Sequence, residues 1–498
     1  MKTLLSTAIT IMAGVSATYA QSTPKYTMTT VIPENVTTPN SVETRLGTLK
    51  FTGGYPDAET VKKVYDNLDF QRAVDVFLDS LQGPSLVALR QGLRETGCVD
   101  GTVGIFNTLM DSKSLFLTAN ADTVYAMTWI DLSKGPVVIE SPPDTLGMVD
   151  DFWFRFVADL GNTGADKGKG GKYLFLPPGY KGEVPAGYFT YKSRTFGNIF
   201  FTRGFLVDGS PAHAVESFNK TLRVYPLSQA QSAHEAKFVN LSGKAFNTVG
   251  SNTYSFYEDL NQVIQEEPAD SEDPEFMGRI FAIGIQKGKP FAPDNRMKKI
   301  LTEAAAVGNA TARAIEFRSR APENFYYPKK AWFIPKGFYQ FLDNGSRLLD
   351  PRTMFFYAYT GVTPAMVLKI VGLGSQYGIA AVDSESNYLD GAKTYKLNIP
   401  ANPPAKNFWG VTVYDTQTRS MLQTDQRFPS IGSRTEGLQK NADGSFDLYF
   451  GPKSPEGHEK NWVQTAPGKG WFAILRLYGP LEPWFDKSWQ PGEFVLQK

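Results

Sequence analysis

The stretch Asn120–Glu140 constrains the fold of this chain more than any other. It reads NADTVYAMTWIDLSKGPVVIE and holds two strand-like runs, Val124–Ile130 and Val137–Glu140. The segment Asp131-Leu132-Ser133-Lys134-Gly135-Pro136 turns the chain between them. The first run is almost wholly apolar or aromatic, which predicts a strand covered on both faces. The polar pair Asn120 and Asp122 stands just before it. Polar side chains at the entrance of a buried strand are placed to line a pocket.

The rest of the chain is long enough to cover such a strand. Its 498 residues suffice for roughly two to four domains. Basic and acidic residues nearly balance, 51 against 50, for a formal charge of +1. That balance argues against a nucleic-acid footprint and against a polybasic membrane patch. Aromatic residues reach 13%, which fits β-rich packing. The N-terminus has a basic Lys2, an apolar run from Leu4 to Val15 and a small-residue site ending at Ala20. This is the pattern of a cleaved secretory signal, and the run is too short to span a membrane. The expected location is extracellular, or periplasmic in a diderm bacterium. Cys98 is the only cysteine, so no intramolecular disulfide forms. Sequons stand at Asn35, Asn219, Asn240, Asn309 and Asn344, and in a eukaryotic host those that carry glycans face solvent.

Five segments follow in order. Residues 1–20 are the signal and 21–57 an extended lead-in. Residues 58–210 begin with helical spacing from Ala58 to Val76 and again from Leu86 to Leu93. They continue as short strands between Gly/Pro turns, the spacing of a sandwich. Residues 211–385 are mainly helical. The clearest helix there is Asn295–Arg318, capped by Asp294. Another, Thr353–Val371, is expected to kink or break before Pro364. Strands return in residues 386–498, predicting a second sandwich of jelly-roll type. Trp484 and Trp489, in a Pro-containing tail, are the tryptophans most expected to be exposed. The fold class is therefore mainly β with a helical middle domain.

Several phrases resemble a known pair of families. Asn120-Ala-Asp-Thr-Val-Tyr125, Asp131-Leu-Ser-Lys-Gly-Pro136, Phe175-Leu-Pro-Pro-Gly179 and Arg203 are similar to domain of unknown function 1254. Asn407-Phe-Trp-Gly-Val-Thr-Val-Tyr-Asp415, Asp443-Gly-Ser445 and Arg476-Leu-Tyr-Gly-Pro480 resemble domain of unknown function 1214. The resemblance implies an immunoglobulin-like sandwich, a helical domain and a C-terminal jelly roll. It implies little about activity, because a fold does not supply a function.

The chemistry must be sought in carboxylates, tyrosines and arginines. His213, His234 and His458 are not at metal-ligand spacing, there is no Cys/His cluster, and no metal or other cofactor is expected. Gly-x-Ser-x-Gly does not occur, and no Gly-rich loop opens a phosphate-binding helix. The first sandwich offers Asn120, Asp122, Tyr125, Arg155, Asp159, Arg194 and Arg203. The second offers Asn407, Tyr414, Asp415, Arg419, Arg427, Asn461 and Arg476. Paired carboxyls can serve as acid and base, and arginine can grip a carboxylate with two donors. The same residues have a plain structural use, in Asx turns and in ion pairs with buried carboxylates.

Three functions remain open. In the first, a metal-independent secreted enzyme acts on a small or oligomeric substrate. Asp122 and Tyr125 are then its acid–base candidates, Arg203 holds an anion, and Asn120, Arg155, Asp159 and Arg194 contact ligand. In the second, the protein binds a carbohydrate or other small molecule. In the third it is a structural module forming a homo-oligomer.

Overall fold

The computed structural model describes residues 26–99, 101–232, 237–337 and 340–497. The expected signal segment and His234 lie outside them. The chain divides into two compact units, Met1–Asp66 and Asn67–Lys498.

In the first unit the lead-in is more ordered than its composition suggests. Ser41–Thr44, Gly47–Thr52 and Tyr55–Pro56 form an antiparallel three-stranded meander. The turn at its start is built locally. Thr44 Oγ1 accepts from the Leu46 amide at 3.0 Å, and Gly47 takes a φ of 84°, a conformation glycine adopts without a Cβ clash.

In the second unit, the two strands of the Asn120–Glu140 stretch separate. Thr123–Asp131 enters a six-stranded sheet and Val137–Ser141 a four-stranded one. The turn between them thus carries the chain from one sheet to the other. Val124, Ala126, Ile130, Val149, Leu160 and Phe200 of the larger sheet meet Ile139, Tyr173 and Phe175 of the smaller in one apolar layer. A second sandwich-like pair lies toward the C-terminus. One sheet is ordered Ser375–Ala380, Trp471–Pro480, Ala405–Asp415, Ser430–Gly432. The other holds Trp462–Gln464, Phe446–Gly451, Tyr395–Ile399 and Phe494–Leu496. Leu397, Val411, Val413, Leu448, Phe450, Ala473 and Leu475 fill the layer between them.

A third core joins the pairs. Met127, Met148, Ile199 and Phe201 from the first pair share it with Tyr377, Ile379, Phe472 and Ile474 from the second. Helical residues such as Phe77, Leu301 and Phe355 complete it. The helices of the middle segment are therefore wrapped into the same hydrophobic body as the sheets. Among the described residues there are eight helices and many short sheets, a mixed architecture.

Several boundaries differ from expectation. Arg223–Pro226, Phe238–Asn240 and Ser375–Ala380 pair into the sheets although they fall within residues 211–385. Each is short, and neighbouring strands rather than local pattern recruit it. The helix Asn295–Phe317 begins where its cap predicts, with the Asp294 carboxylate accepting from the Met297 amide at 2.7 Å. The next expected helix is only Leu349–Ala358; it stops ahead of Gly361 and Pro364. The second helix, Gln82–Glu95, takes in Gly83 and Pro84, because proline in a first turn loses no needed donor. Trp484 and Trp489 are buried, 2% and 8% exposed. The Trp489 indole donates to Ala401 O, and both rings join the second sandwich core. No helix among the described residues is long and apolar enough to cross a membrane.

Candidate functional site

Strand alternation decides where the two central arginines go. On Gly197–Phe205, Phe200 enters the sandwich interior, while Ile199 and Phe201 join the third core. Arg203 shares the parity of Ile199 and Phe201 and so stands on the third-core side. On Trp471–Pro480, Ala473 and Leu475 face the interior while Phe472 and Ile474 face the third core, and Arg476 follows the latter. Each arginine has a tyrosine directly across the ladder. Arg203 pairs with Tyr125, and Arg476 with Tyr377. The two Arg–Tyr pairs, one from each sandwich, line a single buried pocket. Asp159 and Ser375 also line it, as do Tyr359, Thr360 and Thr363 from the chain just after the helix Leu349–Ala358.

A hydrogen-bond frame holds the walls. Arg476 donates through Nη1 to the Tyr414 hydroxyl at 2.6 Å and through Nη2 to Thr118 O at 2.5 Å. Tyr414 in turn donates to Ala119 O at 2.5 Å. The next residue, Asn120, caps the strand entrance: its Oδ1 accepts from the Asp122 and Thr123 amides at 2.9 and 3.0 Å. Its Nδ2 donates to the Tyr125 hydroxyl at 2.7 Å. The second sandwich thus grips the segment that aims Tyr125. Elsewhere on the wall, the Ser375 and Tyr377 hydroxyls lie 2.6 Å apart, and Tyr359 donates to Glu316 Oε1 at 2.6 Å.

The charges are unusual. Among the described residues, neither Arg203 nor Arg476 makes an ion pair with a carboxylate, unlike Arg90, Arg155, Arg279 and Arg352. Asp159 is the pocket's own carboxyl. Burial pushes it up to about 6, with the Thr363 hydroxyl and Arg203 acting against burial. Its Oδ1 is buried and has no hydrogen-bond partner. Burial also raises Tyr125 and Tyr359, so both keep their protons at neutral pH and serve as hydrogen-bonding hydroxyls. Glu316, behind Tyr359, is pushed up to about 8 by burial, against the Tyr359 hydroxyl and Arg419. Asp150 is raised well above the usual carboxylate range by burial. It still accepts from the Val362 amide at 2.7 Å, which pins the loop carrying Thr360 and Thr363.

Of the sequence candidates, Asn120, Tyr125, Asp159 and Arg203 converge on this pocket. Asp122 does not line it. Its carboxylate lies against Gly410, where an added Cβ would sit 3.4 Å from Oδ2. Burial raises it, while Arg476 and Arg434 pull it down. It makes no hydrogen bond with Tyr125, whose hydroxyl is engaged by Asn120. Arg155 and Arg194 lie at a separate cleft with Asp79, Glu272 and Arg352. There Arg155 binds the Asp151 carboxylate through Nε at 2.7 Å and Glu272 Oε1 through Nη1 at 3.0 Å, while Arg194 is exposed. Arg476, grouped by sequence with the second set, belongs to the pocket. Tyr359, Thr363, Ser375 and Tyr377 join it without a sequence signal. The arginines did carry one: each is the lone charge in an otherwise apolar strand, GNIFFTRGF and WFAILRLYGP. Asn35, Asn219, Asn240 and Asn344 are exposed. Asn309 is half-buried, and its Oδ1 accepts from the Tyr357 hydroxyl at 2.7 Å. Among the described residues, no group of three or more His, Cys, Asp or Glu side chains is placed to hold a metal ion.

The model of the family Protein of unknown function (DUF1254) matches residues 101–226, and that of Protein of unknown function (DUF1214) matches residues 374–482. The order is the one the resemblance implies. Tyr125, Asp159 and Arg203 fall in the first match and Tyr377 and Arg476 in the second, while Glu316, Tyr359 and Thr363 lie between. A protein of Vibrio parahaemolyticus with a crystal structure has a similar fold, with a TM-score of 0.52 at 19% identity. That match covers 86% of this chain and 100% of the other. A Burkholderia cenocepacia protein matches with a TM-score of 0.39 at 11% identity, over 87% of this chain and 95% of its own. No curated protein matches the chain.

Proposed function

From the premise that one chain joins the domains of both families around a shared pocket, we propose that this protein binds a small carboxylate-bearing molecule there. The observation that carries the proposal is the pair of inward-facing arginines that lack carboxylate partners. A buried guanidinium is costly unless an anion meets it, and a carboxylate matches its fork of donors. The aromatic and aliphatic walls, Phe116, Phe201, Phe355 and Ile474 among them, suit an apolar body behind that anion. In the same reading the first sandwich is immunoglobulin-like and the second a jelly roll. The protein is secreted, glycosylated in a eukaryotic host, and meets its ligand outside the cytoplasm.

A second reading, turnover of that ligand, is supported by Asp159. A carboxyl that titrates near 6 inside the pocket is suited to act as a general base. In this reading the acid–base role passes from Asp122 to Asp159.

The test is a thermal-shift and calorimetry screen of small aliphatic and aromatic carboxylates against the matching alcohols and amides. Carboxylates should stabilise the protein in a concentration-dependent way, and Arg203→Met should abolish the effect. Equal stabilisation by the uncharged analogues, or no response to any carboxylate, would overturn the proposal.

A further inference from the structure

The cationic side of the pocket has a counterpart across the sheet. Arg203 lies opposite Leu146, and Phe201 lies opposite Met148. Met148 in turn lies opposite Asp159 on the next strand. Asp159 is thus two strands away from Arg203 and one same-face step along. With strands about 4.8 Å apart and about 3.4 Å per residue, their Cα atoms stand roughly 12 Å apart. Among the described residues the two side chains form no ion pair with each other, and the separation between them suits a small molecule spanned across it.

The groups at the two ends ask for different chemistry. At one end are guanidinium donors. At the other, Asp159 Oδ1 is a buried acceptor without a partner, and the hydroxyl of Thr360, another pocket-lining residue, is also buried and unpartnered. Buried acceptors in native folds are normally satisfied, so the second end fits a hydrogen-bond donor. Two guanidiniums share the pocket with one carboxyl, and an ammonium there would be repelled by both. A neutral hydroxyl is not. Resting on the carboxylate proposal above, we infer that the ligand is a hydroxy acid, with its carboxylate on Arg203 and Arg476 and its hydroxyl donating to Asp159.

Matched pairs test this: lactate against propionate, and phenyllactate against phenylpropionate, with phenylalanine as the ammonium analogue. Calorimetry should show the hydroxy member of a pair binding about tenfold tighter, the share of one hydrogen bond to a charged acceptor. Asp159→Ala should bring the ratio to about one. Asp159→Asn, which keeps the shape if the alanine variant fails to fold, should lower it at least about threefold. Equal binding within the pairs, a ratio that survives in both variants, or tightest binding by phenylalanine would each overturn the inference while leaving the carboxylate proposal intact. Failure of every acid to bind would overturn that proposal, and this inference with it.

Discussion

Two places in this protein gather arginines, and they differ in what the arginines meet. In the cleft around Arg155, each buried guanidinium has a carboxylate. Arg155 meets Asp151 and Glu272, and Arg352 meets Asp79 at 2.5 Å, a carboxylate that also receives Arg279 at 2.7 Å. In the pocket, Arg476 meets the Tyr414 hydroxyl and a backbone carbonyl, and Arg203 meets the Tyr377 hydroxyl. The first arrangement satisfies itself and holds the fold together. Among the described residues the second has no carboxylate ion pair of its own, which is the arrangement the proposed anion site requires. An arginine in an apolar setting is therefore not informative alone; its partner list is.

This contrast can be broken at either end. Arg155→Met should cost the most, about 3–5 kcal/mol, because it leaves two carboxylates without their guanidinium, one of them only 1% exposed. The shift should appear in the urea midpoint, with ligand-induced stabilisation unchanged. An unaltered midpoint would show that the pairing is idle.

Glu316 offers an intermediate effect with a defined sign. Its carboxyl is raised from 4.5 to about 8, so its contribution to stability is greatest below about 4.5 and is lost as pH rises through about 8. Glu316→Gln keeps an acceptor for Tyr359 and removes the titration. Relative to the parent it should gain stability progressively as pH rises from about 4.5 to about 8, and nothing at pH 4. Denaturation curves across that range read the difference, and a gain that grew toward low pH would contradict the burial argument.

Arg203→Met should leave stability unchanged or raise it by about 1 kcal/mol, since no carboxylate loses a partner. A loss of several kcal/mol would make Arg203 a structural residue like Arg155. The smallest effect belongs to Arg194→Ala. That side chain is exposed, and the change should stay within about 0.5 kcal/mol and leave ligand response untouched.

The sequence carried a definite part of this picture. The apolar run after Asn120 is a strand covered on both faces, with only Asp131 at its end exposed. The Asp294 cap and the stop before Pro364 were also legible, because each acts within a few residues. Asn120 and Asp122 looked equivalent at the strand entrance, yet only Asn120 reaches the pocket. A residue some 290 positions away, Gly410, receives the Asp122 carboxylate instead. Tyr359, Thr363 and Tyr377 had no local pattern to announce them.

What the sequence determined by itself was the buried strand after Asn120, the capped helix after Asp294 and the lone charge in each of two apolar strands, since periodicity and capping are written over short distances. Only the tertiary structure decided that the outer faces of the two sandwich-like pairs share one core, and so that Arg203 and Arg476 line the same pocket. Alternation along a strand states that a side chain leaves one face. It cannot state what covers the other, because that depends on surfaces brought from more than 200 residues away.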